Sequence, residues 1–463
     1  MKKMRFFRLL LLVLWIFSLL AMPTRAADGN MAVTQGCYSV DAAMTLSDEE
    51  KMTETAQAIV LYELNSDTML YTWNPDTKIY PTSMVKMMTT LVALENVNLD
   101  EMVTVTRKVL DQVAIGSVSA GLKVGEEISV KDLLYCTMVA SANDAATVVA
   151  NYVAGSAEEF VLMMNDKAAA LGCTGTQYSN VHGLHDENTY TTARDICRLT
   201  EAALENETFR DMFRTAVCTV APTNKSDERV VKTTNYMMLE TNLKYYDTRV
   251  TGGKTGATDK GGRCLTMTAE ENGMEILCVL MGAVPTVEEN GTLSAFGSFE
   301  ESTVMMDYAF ANFEYRQVFF DGQSLAQYPV EGGSGDVVTQ ASSTISTVLP
   351  IELDESILKW NYQPDSSTIA APVTKGQKLG TVEAWYGNKC LAQTDMVAMH
   401  NVGVYQAPVV PEKPEARNDG SWLTFLLILL GVAAVAGLGI IGLRAIRIMN
   451  YQRRVKRRRS RRR

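Results

Sequence analysis

The chain has 463 residues and a formal net charge of −10 at pH 7, and 47% of its residues are hydrophobic. This length predicts more than one domain, since domains typically hold about 100 to 200 residues. The first 26 and the last 20 residues carry basic but no acidic side chains, which leaves the segment between them with 27 basic and 53 acidic residues and excludes nucleic acid as its expected partner.

Residues 1–26 have the pattern of a secretory signal peptide. Basic residues close to Met1 precede an apolar run from Leu9 to Ala21, and a short segment ending in Ala26 follows. The run has 13 residues, fewer than the roughly 20 that a membrane-spanning helix needs. We therefore predict cleavage after Ala26 and export of the remaining chain.

Residues 27–314 are predicted to begin with strands and to continue with helices. The stretch AQAIVLYELNSDTMLYTW alternates apolar and polar residues around Asn65-Ser66-Asp67 and predicts a β-hairpin. Helical patterns follow from Tyr80 to Glu95, in two segments between Val130 and Ala154, and in AEEFVLMMNDKAAALG, where Gly172 is placed to end the helix.

Strand patterns return after Thr251, at the other end of this segment. The runs RCLTMTAEE and MEILCVLMGA are joined across Asn272-Gly273, which is a strong signal for a β-hairpin, and a helix is predicted near Glu301–Phe313. Strands at both ends with helices between them favour an α+β domain over residues 27–314, with a sheet assembled from both ends of the segment.

A second domain and a linker are predicted after it. Residues 315–406 contain short strand-like runs separated by Gly and Pro, which predicts a small all-β domain. Residues 407–420 are rich in proline and predict a linker.

Residues 421–443 are predicted to form a transmembrane helix. The stretch has no charged residue, and at ~1.5 Å per residue it spans about 34 Å, enough to cross a ~30 Å hydrocarbon core. Residues 444–463 contain 11 Lys and Arg and no acidic residue. The positive-inside rule therefore predicts a single-pass protein of the cell membrane, with a basic cytoplasmic tail and its domains on the extracytoplasmic side.

Chemistry is indicated by Ser83 and Lys86 at the start of the first predicted helix. Pro81 and Thr82 are typical of a helix start, so Ser83 is expected in the first turn, where its N–H lacks an intrahelical partner and can face an oxyanion. Lys86 lies on the same helix face and can reach the Ser83 hydroxyl. Burial or a second cation must lower its pKa before it can act as a base at neutral pH. The same spacing recurs at Ser356–Lys359 in the predicted β domain, where no chemistry is indicated.

Two later motifs supply a second cation and polar side chains. Lys254, in GGKTGAT, lies on a predicted strand whose glycines allow a ligand close to the backbone. Ser141-Ala142-Asn143 lies on a predicted loop between helices and supplies a hydroxyl that can relay a proton and an amide that can hold a substrate carbonyl. The order Ser-x-x-Lys, Ser-x-Asn and Lys-Thr-Gly is the motif set of penicillin-binding proteins and class A β-lactamases.

The sequence strongly resembles the low-molecular-weight penicillin-binding proteins that are serine-type D-alanyl-D-alanine carboxypeptidases. The likeness extends to GEEISVKDLLYCTMVASANDAA, LGCTGTQYSNVHGLHDENTYTTARD and GGKTGATDKGGRCL, and it covers about Ala56 to Phe313. APVTKGQKLGTVEAWYGNK also resembles the membrane-proximal β domain of that family. The resemblance implies a β-lactamase/transpeptidase-like fold, an antiparallel sheet flanked by helices with a helical subdomain. It also implies removal of the terminal D-alanine from peptidoglycan stem pentapeptides, inhibition by penicillins, and no cofactor.

The resemblance further implies a catalytic role for three residues. Ser83 is the expected nucleophile, which forms an acyl-enzyme, and Lys86 is the expected base. Ser141 is expected to shuttle the proton.

Five other residues are implied in substrate binding. Asn143 orients the substrate, and Lys254 and Thr255 bind its terminal carboxylate. Gly256 and Ala257 complete the binding strand, and the backbone N–H groups of Ser83 and Ala257 would form the oxyanion hole.

Other functions stay open at this point. A class A β-lactamase uses a Glu-x-x-x-Asn element to activate the deacylating water, but here Glu159 is followed four places on by Met163, and Glu240 by Lys244. A DD-transpeptidase or endopeptidase remains possible, because the motifs do not specify the acceptor. A non-catalytic wall-binding protein would be expected to lack the motif serine or lysines, all of which are present.

Neither a metal site nor a disulfide framework is expected. The eight cysteines lie at least 14 residues apart, which is not a metal-ligand spacing, and buried free thiols are favoured. His182 and His185 have only His400 as a further histidine in the chain. We therefore expect them to have a loop role near the cleft instead of binding a metal.

Overall fold

The computed structural model describes residues 52, 54–287, 293–353, 355–386, 389–408 and 421–459. The predicted signal peptide, Cys37 and most of the predicted linker lie outside these residues. The described residues up to Val404 belong to one compact unit and those from Tyr405 onward to a second.

The first unit begins with an α+β part, as the sequence predicts. Its elements are, in chain order, β1 (Ala58–Glu63), β2 (Thr68–Trp73), α1 (Val85–Asn96), β3 (Met102–Thr104), α2 (Arg107–Leu110), β4 (Glu127–Ser129), α3 (Val130–Met138), α4 (Asn143–Ala154), α5 (Ala157–Ala170), α6 (Ala193–Leu204), α7 (Glu207–Arg214), β5 (Val217–Val220), β6 (Arg229–Lys232), β7 (Val250–Thr258), β8 (Gly262–Glu271), β9 (Met274–Ala283), β10 (Thr286–Val287), β11 (Leu293–Ala295) and α8 (Gly297–Asn312).

A five-stranded antiparallel sheet forms the centre of this part. Its strand order is β2-β1-β9-β8-β7, and β1 pairs with β9 so that Ala58 lies opposite Met281. Both predicted hairpins are confirmed: β1 pairs with β2, and β8 pairs with β9. Asn272 and Gly273 join β8 to β9 with φ angles of 53° and 80°, as an Asn-Gly turn requires. The sheet is thus assembled from both ends of the segment, with β7 at one edge.

Strand β1 supplies side chains to two cores. Ala58, Val60 and Tyr62 pack with the helices α1 and α3 to α6 on one face of the sheet, while Ile59 and Leu61 pack with α8 on the other. This division follows from the two-residue period of a strand. Burying a Val, Leu or Ile side chain completely contributes about 1.5–3 kcal/mol, so the sheet is stabilised on both faces.

The first helix begins later than the sequence predicts. The pattern predicts a helix from Tyr80, but α1 begins at Val85 after a 3₁₀ turn at Thr82–Met84. Thr82 has a φ of 54°, in the left-handed region, which a continuous right-handed helix excludes. Ser83 therefore lies just before the α-helix, in the 3₁₀ turn.

The described residues from 313 to 398 form strands and one 3₁₀ turn, which agrees with the predicted all-β region. The strands are β12 (Phe313–Phe319), β13 (Ser324–Tyr328), β14 (Val330–Glu331), β15 (Val337–Ala341), β16 (Ile345–Pro350), β17 (Lys359–Pro364), β18 (Ile369–Ala370), β19 (Lys378–Tyr386) and β20 (Lys389–Ala398). Five of them form an antiparallel sheet in the order β13-β15-β20-β19-β17, and β12 pairs with β16. The boundaries chosen from the sequence, residues 315 and 406, stay predictions.

Among the described residues of the second unit, the only helix is α9 (Ser421–Arg459). Its stretch Trp422–Arg454 reaches a mean hydropathy of 2.7, so it is long and apolar enough to cross a membrane. The predicted span, residues 421–443, lies within α9, and the helix continues into the basic segment.

The seven cysteines in the described part of the chain are free thiols, and six of them are buried. The prediction of buried free thiols is confirmed for those six residues, and Cys218 is a half-buried free thiol. Cohesion of the described cores therefore comes from packing and hydrogen bonds.

Helix α8 fixes the segment that leads into β1. The Glu301 carboxylate accepts hydrogen bonds from the backbone N–H groups of Glu54 at 3.1 Å, Thr55 at 2.5 Å and Ala56 at 2.9 Å. Glu301 is 8% exposed, so water cannot readily replace it as the acceptor. Leaving a buried donor unsatisfied costs about 1–3 kcal/mol.

We predict that Glu301→Ala lowers the free energy of unfolding by about 1–3 kcal/mol, because three backbone donors lose their acceptor. Urea unfolding followed by tryptophan fluorescence measures the change. The matched control is Glu300→Ala on the same helix: Glu300 is half-exposed and lies 3.5 Å from Lys244, and such surface pairs contribute about 0–1 kcal/mol. Equal effects of the two substitutions would contradict the anchoring role of Glu301.

Candidate active site

Ser83 is positioned by the backbone of Thr82. A φ of 54° is strained for a β-branched residue, and two glycines leave room for it. A Cβ added to Gly183 would lie 1.8 Å from the Thr82 carbonyl oxygen, and one added to Gly256 would lie 1.8 Å from Thr82 Oγ1 and 3.0 Å from the Ser83 nitrogen. Strand β7 therefore approaches the Ser83 N–H closely, next to Ala257, which is predicted as the second oxyanion donor.

Lys86 reaches the Ser83 hydroxyl from the first turn of α1. Its Nζ lies 3.2 Å from Ser83 Oγ and 2.5 Å from the backbone carbonyl oxygen of His182, and the side chain is fully buried. Burial, and after it the positive charge of Lys254, lowers the pKa of Lys86 well below its usual value, while the Asp144 carboxylate opposes the shift. Both causes named from the sequence, burial and a second cation, are present.

Lys254 is buried beside Ser141 and is not exposed in the cleft. Its Nζ donates to Ser141 Oγ and to the Thr255 carbonyl oxygen, both at 2.9 Å. Burial lowers the pKa of Lys254 to about 7. The ammonium group can therefore gain and lose its proton near neutral pH.

The Ser-x-Asn motif lies where α3 leads into α4. The sequence places Asn143 on a loop, but it is the first residue of α4, and its N–H donates to the Val118 carbonyl oxygen at 2.8 Å. Ser141 has a φ of 60°, which turns the chain so that its hydroxyl meets Lys254. The helix start, a more rigid element than a loop, therefore holds Asn143.

Asp144, which the motif does not include, holds the neighbouring loop in place. Its carboxylate accepts from Ser119 Oγ at 2.6 Å and from the backbone N–H groups of Ala120 and Leu122 at 2.8 and 3.1 Å. No sequence signal singles out this aspartate, because its partners lie more than 20 residues away.

A cleft of about 230 Å³ opens beside these side chains. Lys86, Asn143 and Lys254 do not line it and are at most 3% exposed. The other five predicted site residues line it, namely Ser83, Ser141, Thr255, Gly256 and Ala257. The structure therefore brings the three motifs together, with the lysines buried behind the cleft surface.

Part of the cleft is lined by residues that no motif indicates. The hydroxyls of Thr234 and Thr255 share a hydrogen bond. The rings of Tyr236 and Phe296 pack edge to face with centroids 5.8 Å apart, and the guanidinium carbon of Arg263 lies 4.3 Å from the Phe296 centroid. The only sequence signal that could have indicated Arg263 as a site residue is its position in the same stretch as Lys254, GGKTGATDKGGRCL.

Of the two histidines named from the sequence, only His182 is in contact with Lys86 among the described contacts. Burial and the positive charge of Lys86 lower the pKa of His182 to about 4, and its Nδ1 accepts from the Leu184 N–H at 3.2 Å. His185 packs edge-on against Tyr80 at 4.6 Å. Over the described ranges, no group of three or more His, Cys, Asp or Glu side chains is placed to hold a metal ion.

Two family models match most of the chain. Residues 44–285 match the model described as D-alanyl-D-alanine carboxypeptidase, and residues 313–404 match the one described as penicillin-binding protein 5, C-terminal domain. The first match covers the α+β part up to residue 285, without α8, and the second covers the β part.

Named proteins are similar over three quarters of the chain. D-alanyl-D-alanine carboxypeptidase DacF of Bacillus subtilis is 28% identical over 370 residues, 76% of this chain and 87% of that protein. D-alanyl-D-alanine carboxypeptidase DacC of Escherichia coli K12 is 29% identical over 356 residues, 75% of this chain and 84% of that protein. A crystal structure of penicillin-binding protein 5 from Haemophilus influenzae has a TM-score of 0.59 and 28% identity and covers 76% of this chain and 99% of that one.

The buried state of Lys254 predicts a pH-dependent stability. The folded protein releases this proton near pH 7, whereas an unfolded chain holds it to about pH 10.4. Between these values the unfolded state binds more protons, so the free energy of unfolding of the wild type rises with pH relative to Lys254→Met, by at most about 1.4 kcal/mol per pH unit.

Urea unfolding of both proteins at pH 7, 8 and 9 measures this difference. Lys260→Met is the matched control, since Lys260 is exposed in the turn between β7 and β8. If the free energies of unfolding of the wild type and of Lys254→Met change equally from pH 7 to pH 9, Lys254 keeps its proton in the folded protein. That result would contradict the prediction.

Proposed function

Because the chain belongs to the family of D-alanyl-D-alanine carboxypeptidases, we propose that it removes the terminal D-alanine from peptidoglycan stem pentapeptides through an acyl-enzyme on Ser83. The enzyme is a serine-type carboxypeptidase, a hydrolase. One observation carries the mechanism: a fully buried Lys86 Nζ lies 3.2 Å from a serine hydroxyl that opens into a cleft.

Acylation begins with a proton transfer. Neutral Lys86 takes the Ser83 proton as Oγ attacks the carbonyl carbon of the penultimate D-alanine. The lowered pKa of Lys86 supports this role, because a lysine at its usual pKa holds its proton at pH 7.

The negative charge that develops on the carbonyl oxygen is bound by two backbone donors. We assign them to the N–H groups of Ser83 and Ala257, and the close approach of Gly256 to Ser83 supports this pairing. The proton passes from Lys86 to the leaving amine of D-alanine through the Ser141 hydroxyl. The hydrogen bond from Lys254 to Ser141 Oγ orients that hydroxyl.

Substrate binding uses the residues around the nucleophile. Asn143 orients the peptide, and Gly256 and Ala257 present the edge of β7 to its backbone, since main-chain hydrogen bonds along a strand edge can bind an extended peptide. Thr255 offers its hydroxyl to the terminal carboxylate, and Lys254 contributes charge from the interior.

Deacylation distinguishes this function from that of a β-lactamase. Among the described residues that line the cleft, none is Asp or Glu, and Glu159 and Glu240 are solvent-exposed. Water must therefore be activated by Lys86 or Ser141. A penicilloyl ester keeps its leaving amine tethered, which obstructs that water, whereas free D-alanine departs. Penicillin is thus expected to inhibit by slow release.

Helix α9 provides the membrane anchor in this proposal. Its apolar stretch crosses the bilayer once, and the Lys and Arg after residue 443 keep that end in the cytoplasm. The catalytic residues then act on the extracytoplasmic side, where peptidoglycan lies.

The assignment of Ser83 is tested with a labelled penicillin and a synthetic stem pentapeptide. We expect the wild type to release D-alanine and to carry one penicillin adduct on the peptide containing Ser83, and Ser83→Ala to lose both. Ser356→Ala is the matched control, because the second Ser-x-x-Lys lies exposed in the β part. Release of D-alanine by Ser83→Ala at the wild-type rate would contradict the proposal.

Lys86→Arg tests the base. Arginine keeps its proton throughout the usable pH range, so the variant retains a cation but cannot accept the Ser83 proton. We expect kcat/KM to fall by about 10²–10⁴-fold. The acylation rate of the wild type should rise with pH as Lys86 deprotonates, and the variant should lack this rise. Lys131→Arg, at an exposed position of α3, is the control. A Lys86→Arg enzyme within about threefold of wild type would exclude Lys86 as the base.

A further inference from the structure

Tyr62 joins two acidic side chains from different segments of the α+β part. It lies in β1 and is fully buried. Its Oη lies 3.2 Å from Asp67 Oδ1 and 3.2 Å from Glu201 Oε1. Asp67 lies in the turn between β1 and β2, and Glu201 lies in α6. The hydroxyl therefore links the β1–β2 turn to α6.

The number of protons at this contact follows from its geometry. A tyrosine hydroxyl has one proton, so it can donate fully to only one of two carboxylates. The second contact becomes a hydrogen bond when the other carboxyl group carries a proton and donates it to the tyrosine oxygen. One proton besides that of Tyr62 therefore satisfies both contacts, with Glu201 donating to Tyr62 and Tyr62 donating to Asp67.

The charges around Glu201 do not neutralise it. In the described part of the chain, neither Asp67 nor Glu201 forms an ion pair, and two nearby arginines are bound to other acids. Arg198 binds Asp195 at 3.0 Å, and Arg214 binds Glu275 at 2.7 Å. The charged and titratable groups that face Glu201 come from the turn, α6, α7 and β9, and they are Tyr62, Asp67, Cys197, Arg198, Glu205, Arg210 and Glu275.

Glu201 is the group that holds the additional proton. Burial and, after it, the negative charge of Asp67 raise the pKa of Glu201 to about 7, although the hydrogen bond with Tyr62 and the charge of Arg198 oppose the shift. Burial also raises the pKa of Asp67. Two carboxylates close to one oxygen atom disfavour a second negative charge in the same way.

A cavity of about 360 Å³ gives this proton access to water. Asp67 and Glu201 line it, together with Leu64 of the turn and Leu204 of α6. The cavity is large enough to hold water molecules. The carboxyl group of Glu201 can therefore exchange its proton with the surroundings while Tyr62 stays buried.

We propose that Tyr62, Asp67 and Glu201 form a proton latch, in which one proton held between the two carboxyl groups ties the β1–β2 turn to α6 and the loss of this proton to water releases the turn. In the closed latch the group carries one negative charge. After Glu201 releases its proton, two carboxylates compete for a single donor and repel each other. The turn and the adjoining part of α6 then open more readily, as a local unfolding. The inference does not rest on the proposed function.

The first test compares the full chain in detergent with Glu201→Gln, because glutamine resembles the protonated carboxyl group and does not titrate. In an unfolded chain Glu201 loses its proton near pH ~4.3, but in the folded protein its pKa is about 7. The folded state binds more protons between these values, so its stability falls as pH rises. We expect the wild-type equilibrium constant of unfolding in urea to increase relative to that of Glu201→Gln, by up to about tenfold per unit from pH 5 to pH 7. Lys254 titrates in both proteins, so its effect cancels.

Amide hydrogen exchange then locates the opening within the molecule. The two proteins are compared at the same pH, so that the intrinsic pH dependence of exchange cancels. We expect residues 64–68 and 199–206 of the wild type to exchange faster than those of Glu201→Gln at pH 8 and equally fast at pH 5.

Two further variants complete the design. Asp67 has a φ of 49°, which asparagine also adopts readily, so Asp67→Asn keeps the turn and removes one negative charge. We expect the fall in stability of this variant to end at a lower pH than in the wild type. Glu205→Gln is the matched control: Glu205 is exposed on the same helix and lines the same cavity. We expect it to keep the wild-type pH dependence.

Three outcomes would overturn the inference. If the stabilities of the wild type and of Glu201→Gln change equally from pH 5 to pH 8, Glu201 releases no proton in that range. A loss of stability in Glu201→Gln that is the same at every pH would indicate a structural role only. Equal changes of the pH dependence in Glu205→Gln and Glu201→Gln would show that the total charge of the cavity, and not the latch, is responsible.

Discussion

The removal of Lys86 from water is the constraint on which the site depends. A buried ammonium group is destabilising unless it loses its proton or gains strong acceptors, and the chain uses both routes. A carbonyl oxygen and a hydroxyl meet the Nζ, and a second buried lysine disfavours its charge. The packed helices on one side of the sheet exclude water from it. Burial thus lowers the stability locally, and the lowered pKa of Lys86 supports its proposed role as the base.

The two-residue period of β7 gives the proposed site two different sides. Lys254 and Gly256 face Ser141 and Ser83, whereas Thr255 faces Thr234 on the side of Arg263. In the proposed function, one strand at the sheet edge therefore contributes to both catalysis and substrate binding. An exposed edge strand is normally a liability for aggregation, and here residues of β7 line the cleft.

Patterns that depend on neighbouring residues could be read from the sequence. The Asn272-Gly273 turn depends only on the backbone conformations that its own two residues can adopt. The three motifs indicated the serine and lysine residues that the structure brings together. The late start of α1 could not be predicted, because the strained backbone of Thr82 is accommodated by glycines on other segments. Likewise the sequence does not reveal that Asn143 begins a helix or that the adjacent Asp144 binds a loop more than 20 residues away. Arg263 became visible only once β7 and β8 were paired.

The acceptor that Lys86 finds at position 182 is a main-chain carbonyl. Every residue type offers that oxygen, so heritable variation at this position need not disturb the lysine provided the loop keeps its path. The path of the loop depends on Gly183, which has a φ of 81°. A side chain at this position would collide with the backbone of Thr82. The path of the loop therefore requires the glycine at position 183, whereas the hydrogen bond to Lys86 requires only the backbone of residue 182.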